Sequence, residues 1–459
     1  MRLAGFALFS SLLVLAARAY AQDAHAYQPE HRPAPTPTPQ AQPPEMQMQH
    51  GEHAGHAMEA PSEGANRSDP DPMSMMETMP ATDRWSGMVH GYAFLTGTRA
   101  GGPSGDRDFS SQNHLMLVGL HALGGGKLSL LGTFTLEPGT IQPRGSVELF
   151  QRGETYQGAL LIDRQHPHDL FVQLAATWER ELGPLFKLRL YGGPVGEPAI
   201  GPVAYPHRLS ASENPTAPLA HHNQDSTHIS YDVLTAGVTA SIVTLEGSVF
   251  HGAEPDENRW NIEAGALDSY SGRLWIRPAP GLSLQASVAH LEHPEAIEEG
   301  NQTRATASAT YQRALKDGFV ALTAISGRNQ TPEGPEWGHT LEGTVKFVGK
   351  NFVFGRLERV DRDLYELVNK RQRPEGVPRV RTSVDAGTLG AVRELGLLRE
   401  AETGVGADVT VYRFDSRLDP VYGRHPVSVH VFFRVRFQTH VGMSGMDHGQ
   451  MGHGGMEHH

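Results

Sequence analysis

Alternation of apolar and mostly polar side chains near the end of the chain constrains its fold more than any other feature. The alternation runs for eleven residues, from Val427 to Phe437. Side chains on a β-strand point to opposite faces in turn, so this pattern predicts a strand with one apolar and one polar face. A tilted strand needs about 9–11 residues to cross a bilayer, which matches this length. The apolar face consists of Val427, Val429, Val431, Phe433, Val435 and Phe437, and the polar face includes Arg434 and Arg436.

The same pattern recurs through the body of the chain, for example in residues 170–179, 282–288 and 405–412. Tight turns alternate with long polar connections such as 138–167 and 193–225. Short turns at one end and long loops at the other are typical of outer-membrane barrels. We therefore predict an all-β fold: a transmembrane antiparallel up-and-down β-barrel over residues 85–438. We expect about sixteen strands, with fourteen as the alternative, and either number leaves both chain ends on one side.

The amino terminus predicts export. Arg2 is followed by a short apolar stretch and a small-x-small cleavage site at Ala19–Ala21, so residues 1–21 are interpreted as a signal peptide. The rest of the sequence contains no run of eighteen apolar residues, which argues against a transmembrane helix. An exported chain without such a helix is either soluble or a barrel. Together with the strand pattern, this predicts an outer-membrane protein with both termini in the periplasm.

Composition excludes several classes of chemistry. The chain has no cysteine, so disulfides, thiolate metal sites and thiol nucleophiles are absent. Its formal net charge is −12, which argues against nucleic acid as a partner.

Two segments, residues 22–84 and 439–459, lack the composition of a packed core, and we predict disordered tails there. Both are rich in methionine and histidine. Thioether ligands suit Cu(I), and imidazole suits Cu(II) and other late metals, so copper is the predicted ion, although no cofactor is required. The alternative is a solvated low-complexity linker. The candidate ligands are Met46, Met48, His50, His53, His56, Met443, Met446, His448, Met451 and His453.

A second group of candidate metal ligands lies in two long loops of the predicted barrel. Imidazole and carboxylate together suit a divalent transition metal. The candidates do not have a fixed helical spacing, and the alternative is that they brace the loops against the inner wall. They are His166, His168, Asp169, His207, His221, His222, Asp225 and His228.

An enzymatic alternative is based on the strand that follows the second loop. His228, Ser230 and Asp232 would share one face of a strand, as a hydrolase triad could. The intervening Ile229, Tyr231 and Val233 would then face lipid. That places the His-x-Ser pair toward the lumen, away from a lipid substrate, so we do not predict an enzyme.

Two resemblances bear on these features. The arrangement of signal peptide, Met/His-rich linker (residues 46–79) and barrel resembles copper-resistance outer-membrane proteins. The stretches Asp163–Asp169, Tyr191–Pro198 and Asn214–Pro218 look like those of an uncharacterised family of bacterial outer-membrane β-barrels. That second resemblance covers most of the barrel and implies a location without implying an activity.

The resulting hypothesis is an outer-membrane barrel linked to copper or other transition-metal handling in the cell envelope. The tails would capture metal in the periplasm, and the His-rich loops would bind it at the barrel mouth. Expected partners are outer-membrane lipid, a small solute or metal ion and periplasmic metal-handling proteins, with a homo-oligomer left open. A general porin with incidental tails is the main alternative, and a hydrolase that uses His228 and Ser230 is the second.

Overall fold

The computed structural model describes residues 79–296 and 300–441. Sixteen antiparallel strands form a closed barrel in this part of the chain, and two further strands form a separate hairpin. The predicted fold and its strand number are confirmed. The barrel strands are β1 (Ser86–Ala100), β2 (Arg107–Leu123), β3 (Gly126–Phe134), β6 (Phe171–Leu182), β7 (Phe186–Gly196), β8 (Ser230–Ala240), β9 (Val243–His251), β10 (Ser269–Ala279), β11 (Leu282–Leu291), β12 (Gln302–Leu315), β13 (Gly318–Thr331), β14 (Gly334–Phe347), β15 (Asn351–Asp363), β16 (Arg381–Glu394), β17 (Glu402–Arg413) and β18 (Val427–Val441).

The barrel closes through the pairing of its first and last strands. Gly87 of β1 lies opposite Val441 of β18, so the barrel begins and ends at the same rim. The short turns between β2 and β3, between β12 and β13 and between β14 and β15 lie at this rim, while the long loops lie at the other. We call the two ends the short-turn end and the long-loop end. Closure leaves no unpaired strand edge, which is what a sheet in hydrocarbon requires.

The two faces of the barrel wall differ as the sequence predicts. On β18, Val429 and Val431 are exposed, whereas Ser428, His430 and Arg434 are buried toward the lumen. The same division separates Leu284 and Val288 from Gln285 and Ser287 on β11. An apolar exterior around a polar interior is the pattern of a barrel that spans a membrane. No helix in the described ranges 79–296 and 300–441 is long and apolar enough to cross a membrane.

A β-hairpin lies inside the long loop between β3 and β6, where the sequence predicts only an irregular connection. It consists of β4 (Ser146–Tyr156) and β5 (Ala159–Gln165). Phe150 is fully buried and stacks on Tyr422, with ring centroids 4.1 Å apart. Leu149, Leu219, Val360, Leu367 and Leu418 complete an apolar cluster at the long-loop end. The hairpin is therefore a packed plug at this mouth.

The loop between β7 and β8, residues 197–229, is called the inner loop because it folds back into the lumen. Its short helix His221–Gln224 contacts strands β12, β13 and β14. Gly327 and Gly338 lie opposite each other on the wall, and a Cβ at Gly327 would lie 2.0 Å from the carbonyl oxygen of Asn223. The two glycines let the helix approach the wall more closely than a side chain would permit.

Buried ion pairs fasten the inner loop to the wall. Glu213 pairs with Arg434 of β18, and neither side chain has any exposed area. Arg208 pairs with Glu342 of β14, which also pairs with Arg356 of β15. These ion pairs hold residues 208–213 against the barrel, and the contacts of the short helix hold the later part of the inner loop. The inner loop therefore fills the interior of the barrel and does not merely surround its mouth.

The predicted direction of three side chains at the start of β8 is wrong. Ile229, Tyr231 and Val233 are buried and do not face lipid. Asp232 adopts a positive φ of 50°, and the register of β8 against β9 shifts between Tyr231 and Leu234. This bulge adds one residue to β8, and Leu234 is the first exposed side chain beyond it. Ile229 and Tyr231 precede the bulge and are buried in an apolar cluster with Val172 and Val195.

Candidate metal centre

Three histidines from two loops meet inside the barrel. His168 follows the hairpin, and His221 and His228 belong to the inner loop. One ligand nitrogen of each ring lies within 4.8 Å of those of the other two, and all three residues are buried. Nitrogens around a tetrahedral zinc ion lie about 3.3 Å apart, so each ring needs to move by less than ~1 Å to close on an ion.

Each of these rings is oriented through its Nδ1 atom. His168 Nδ1 lies 2.8 Å from Glu137 Oε2, and His221 Nδ1 lies 2.7 Å from Asp225 Oδ1. His228 Nδ1 lies 2.9 Å from the carbonyl oxygen of Asp225. A carbonyl or carboxylate oxygen accepts, so Nδ1 donates and the lone pair of each neutral ring resides on Nε2. Metal-binding histidines are held in this way in proteins, by a carboxylate or a backbone carbonyl on the second nitrogen.

Burial lowers the pKa of His221 and of His228, which keeps these two rings neutral and able to bind a metal. It lowers the pKa of His221 to about 4, against the opposing effect of Asp225. It also lowers the pKa of His228 well below its usual value. Burial alone would raise the pKa of Asp225, but the charge of Arg208 and the hydrogen bond from His221 lower it, so Asp225 stays ionised. Arg208 thus supports the carboxylate that orients His221.

The space between the rings is the size of a single small ligand. A cavity of about 10 Å³ is lined by His166, His168, His221 and His228. Nε2 of His168 is buried and has no hydrogen-bond partner within the described residues. A buried polar atom without a partner is costly, and an ion at this point would bind it. The donor set therefore fits a metal that prefers nitrogen ligands.

A much larger cavity leads to this point from the short-turn end. Its volume is about 1120 Å³, and it is lined by turn residues such as Lys316, Gly349 and Glu400 and by His168 and His228. Three further histidines line it: His90 of β1, His114 of β2 and His207 of the inner loop. The rings of His114 and His207 lie 4.7 Å apart. Imidazoles therefore line the path from the short-turn end to the three-histidine cluster.

A second cluster lies on the other side of His221. His222, Glu254 and Glu295 each offer a ligand atom within 4.8 Å of those of the other two. Burial would raise the pKa of Glu254, but His222 and Arg304 lower it to about 2. Burial and the charge of Glu254 raise the pKa of Glu295 to about 7. The two carboxyls are therefore close enough to oppose each other's ionisation.

The remaining predicted loop ligands have other contacts. His166 Nε2 lies 3.1 Å from Glu154 Oε1 and outside the three-histidine cluster. Asp169 accepts from the Tyr231 hydroxyl at 2.8 Å and from Arg259 at 3.1 Å. Asp225 is held by His221 and Arg208, and His207 packs on His114. These four residues surround or support the cluster, and metal binding by any of them stays a prediction.

The predicted ligands in the two tails all lie outside the described residues. So does the predicted signal peptide. Of the Met/His-rich linker, Met79 is described; it packs against Met88, Met116 and Leu120 inside the barrel. Copper binding by the tails stays a prediction.

The hydrolase alternative gains no support from the geometry. The Ser230 hydroxyl donates to the carbonyl oxygen of Thr227 at 3.1 Å, and His228 Nδ1 is engaged by Asp225. Asp232 accepts from the backbone N–H of Gly265, on the far side of the bulge. The three side chains are therefore used in separate contacts and do not form a relay.

Three glutamates at these sites are not predicted from the sequence: Glu137, which orients His168, and Glu254 and Glu295 of the second cluster. Glu137 lies 31 residues before His168, while Glu254 and Glu295 lie in loops that follow β9 and β11. Long connections at 252–268 and 292–301 are visible in the sequence, and glutamates in loops of one rim can meet. No spacing in the sequence indicates which of them do.

Comparison with known proteins yields similar architectures only. No protein-family model matches the chain, and no curated protein does. Among solved structures, the anion-selective porin from Comamonas acidovorans has a TM-score of 0.45 at 11% identity, and the match covers 77% of this chain and 99% of the porin. OprB from Pseudomonas putida has a TM-score of 0.48 at 9% identity, with 80% and 96% covered. The trimer form of OmpT, an outer membrane protein of Vibrio cholerae, has a TM-score of 0.43 at 10% identity, with 76% and 99% covered.

These proteins are similar to this chain in outline, and the fold assignment comes from the strand pairing of the chain itself. That pairing makes it a closed sixteen-stranded barrel, porin-like in architecture. The comparisons give no support to the resemblance to copper-resistance proteins.

Proposed function

We propose that this chain is an outer-membrane barrel that binds a late transition-metal ion in its lumen, through His168, His221 and His228. The observation that carries the proposal is the convergence of three buried imidazoles, each held through Nδ1 by an oxygen acceptor. Imidazole ligands suit Zn²⁺, Cu²⁺ and Ni²⁺. Copper is the ion we propose, because the Met/His-rich tails are suited to it in both oxidation states.

The position of the cavity suggests how the ion arrives. The first barrel strand begins and the last one ends at the short-turn end, which would face the periplasm, and the large cavity opens there. Metal collected by the tails would thus be released at the entrance of a histidine-lined cavity. The protein would take up or pass on metal from the periplasmic side, together with periplasmic metal-handling proteins.

The test is metal binding by the full chain folded in detergent. Cu²⁺ and Co²⁺ titrations should show one equivalent fewer in the double variant His168→Asn/His228→Asn, and the nitrogen hyperfine signal of Cu²⁺ should lose the contribution of that one equivalent. His425→Asn is the matched control, since His425 is exposed at the long-loop end. Binding to the tails is common to all three proteins. Equal stoichiometry and equal spectra in the double variant and the control would refute the proposal.

A solute channel is the second candidate, because the 1120 Å³ cavity is far larger than a metal ion requires. Its lining mixes polar groups with aromatic rings such as Tyr92 and Phe94, as ligand-binding cavities do. Planar-bilayer recording distinguishes the two functions. Stable conductance steps that are insensitive to Cu²⁺ would favour a general porin, whereas a closed barrel, or steps blocked by Cu²⁺, would favour the metal site.

A further inference from the structure

A second ligand set of different chemistry lies beside the three-histidine cluster. We infer that His222, Glu254 and Glu295 bind a second divalent cation. This inference does not depend on the proposed function, because the two clusters share no ligand.

The geometry of this second cluster is suited to a cation. It joins the inner loop to the loops that follow β9 and β11, and its three ligand atoms lie within 4.8 Å of one another. The side chains of His222 and Glu254 are only 11% and 9% exposed. Both ring nitrogens of His222 and Oε2 of Glu254 are buried without a hydrogen-bond partner in the described part of the chain. An imidazole offers one nitrogen to an ion, so a bound cation would give a partner to Nδ1 of His222 and to Oε2 of Glu254, two buried atoms that otherwise have none.

The ring of His222 is fixed so that one nitrogen faces the carboxylates. Gly153 of the hairpin lies against the other side of the ring, and a Cβ at Gly153 would lie 2.2 Å from His222 Nε2. The backbone there has a φ of +142°, which side chains rarely adopt, so glycine is required on both counts. Nδ1 lies 3.6 Å from Glu254 Oε1, too far for a hydrogen bond but suitable for two ligands of one ion.

The charges at this point also call for a cation. Arg304 is fully buried, and its guanidinium donates to Ser226, Asn329 and Gln302. Ser226 in turn donates to Glu254 Oε1 at 3.2 Å, which positions one carboxylate oxygen and leaves Oε2 for another partner. Two neighbouring carboxyls in a buried setting are stabilised when a divalent ion lies between them.

One imidazole with two carboxylates makes a harder site than three imidazoles. Oxygen-rich sets suit Mn²⁺ and Mg²⁺, whereas nitrogen sets suit Cu²⁺, Ni²⁺ and Zn²⁺. His221 and His222 are adjacent residues whose ring centroids lie 5.3 Å apart, so the two ions would lie side by side. The inner loop would thus hold two cations of different preference.

Mn²⁺ is the probe, because the thioethers and imidazoles of the tails are poor ligands for it. Electron paramagnetic resonance of the detergent-folded full chain should show one bound Mn²⁺. Glu254→Gln and Glu295→Gln should each weaken this binding at least tenfold. Glu375→Gln, an exposed glutamate at the long-loop end, is the matched control. His168→Asn/His228→Asn should bind Mn²⁺ like the wild type, which separates this site from the first.

Folding of each variant is checked by the heat-dependent shift of a barrel in gel electrophoresis. Glu295→Gln is the safer variant because Glu295 is only partly buried. The inference is overturned if the wild type binds no Mn²⁺, or if folded Glu295→Gln binds it as tightly as Glu375→Gln. It is also overturned if the variant His168→Asn/His228→Asn no longer binds Mn²⁺, since the ion would then occupy the three-histidine cluster.

Discussion

At the scale of single residues, the three-histidine cluster depends on the acceptors behind the rings as much as on the rings. Glu137 illustrates this, because one carboxylate oxygen accepts from both the backbone N–H and the Nδ1–H of His168, at 2.9 and 2.8 Å. Such an acceptor fixes both the tautomer and the direction of the ring. The geometry thus assigns Glu137 a positioning role.

Replacing Glu137 with Gln keeps the shape of the side chain and removes its charge. We expect the affinity for Cu²⁺ at the three-histidine cluster to fall about 10–100-fold, as is typical when such a partner of a metal-bound histidine is lost. Competition titration against a chelator of known affinity measures the change. Asp232→Asn serves as the control, because Asp232 accepts from Gly265 and contacts none of the three rings. If both variants bind Cu²⁺ alike, Glu137 does not position His168.

The residue scale also shows what a sequence can and cannot reveal about a site. The accumulation of histidines in two loops indicated a metal site, and three of them do meet. Which three depends on how each loop folds: His166 and His168 are two residues apart, yet only His168 joins the cluster. Glu254 and Glu295 were not predicted because loops distant in sequence bring them to His222.

At the scale of elements, the strands are the part that a sequence reveals best. A wall between lipid and lumen imposes a period of two, and β11, β17 and β18 show it directly. Bulges are not visible in that period, because the residue that they add changes the pairing locally, as it does around Asp232 of β8. The sequence does not predict the hairpin β4–β5, because it packs between the barrel wall and the loops of the long-loop end and therefore lacks a lipid-facing alternation.

The inner loop should loosen when its buried anchor is broken. Glu213→Gln removes the fully buried partner of Arg434 and leaves it the longer contacts to Glu394 and Glu402, at 3.5 and 3.6 Å. Breaking a buried pair costs about 3–5 kcal/mol, and the two remaining contacts place the expected cost at the lower end. We expect a lower unfolding temperature in detergent and larger or noisier conductance steps in planar bilayers.

The matched variant is Glu333→Gln. The Glu333 side chain is 42% exposed and pairs with Arg373 and Arg379, and an ion pair with such an exposed member contributes about 0–1 kcal/mol. This variant should behave like the wild type in both measurements. If Glu213→Gln does so as well, the inner loop is held by its apolar contacts and its other ion pairs.

At the scale of the whole molecule, the interior is asymmetric. The long-loop end is closed by the apolar cluster around Phe150, while the large cavity opens toward the short turns. Access to the three-histidine cluster should therefore be one-sided.

Single cysteines can test this sidedness, because the chain has none of its own. Glu400→Cys places a thiol at the cavity entrance, and Glu375→Cys places one at the long-loop end. Coupling a bulky polyethylene-glycol maleimide to Glu400→Cys should slow Co²⁺ binding to the histidine cluster severalfold in stopped-flow absorbance, whereas the same group on Glu375→Cys should not. The reverse order of rates would mean that metal enters through the plug.

The anchoring of the inner loop by the last strand also has a consequence for the order of assembly. Glu213 and Arg434 are 221 residues apart, and Arg434 reaches its final position only when β18 pairs with β1. The residues that converge as candidate metal ligands, by contrast, belong to loops already synthesised and exported by then. Contacts between distant parts of a chain form slowly, because a long loop must close before they contribute. The lumen therefore acquires its final packing in the last step of folding, when β18 pairs with β1 and closes the barrel around the inner loop, which must already lie inside it.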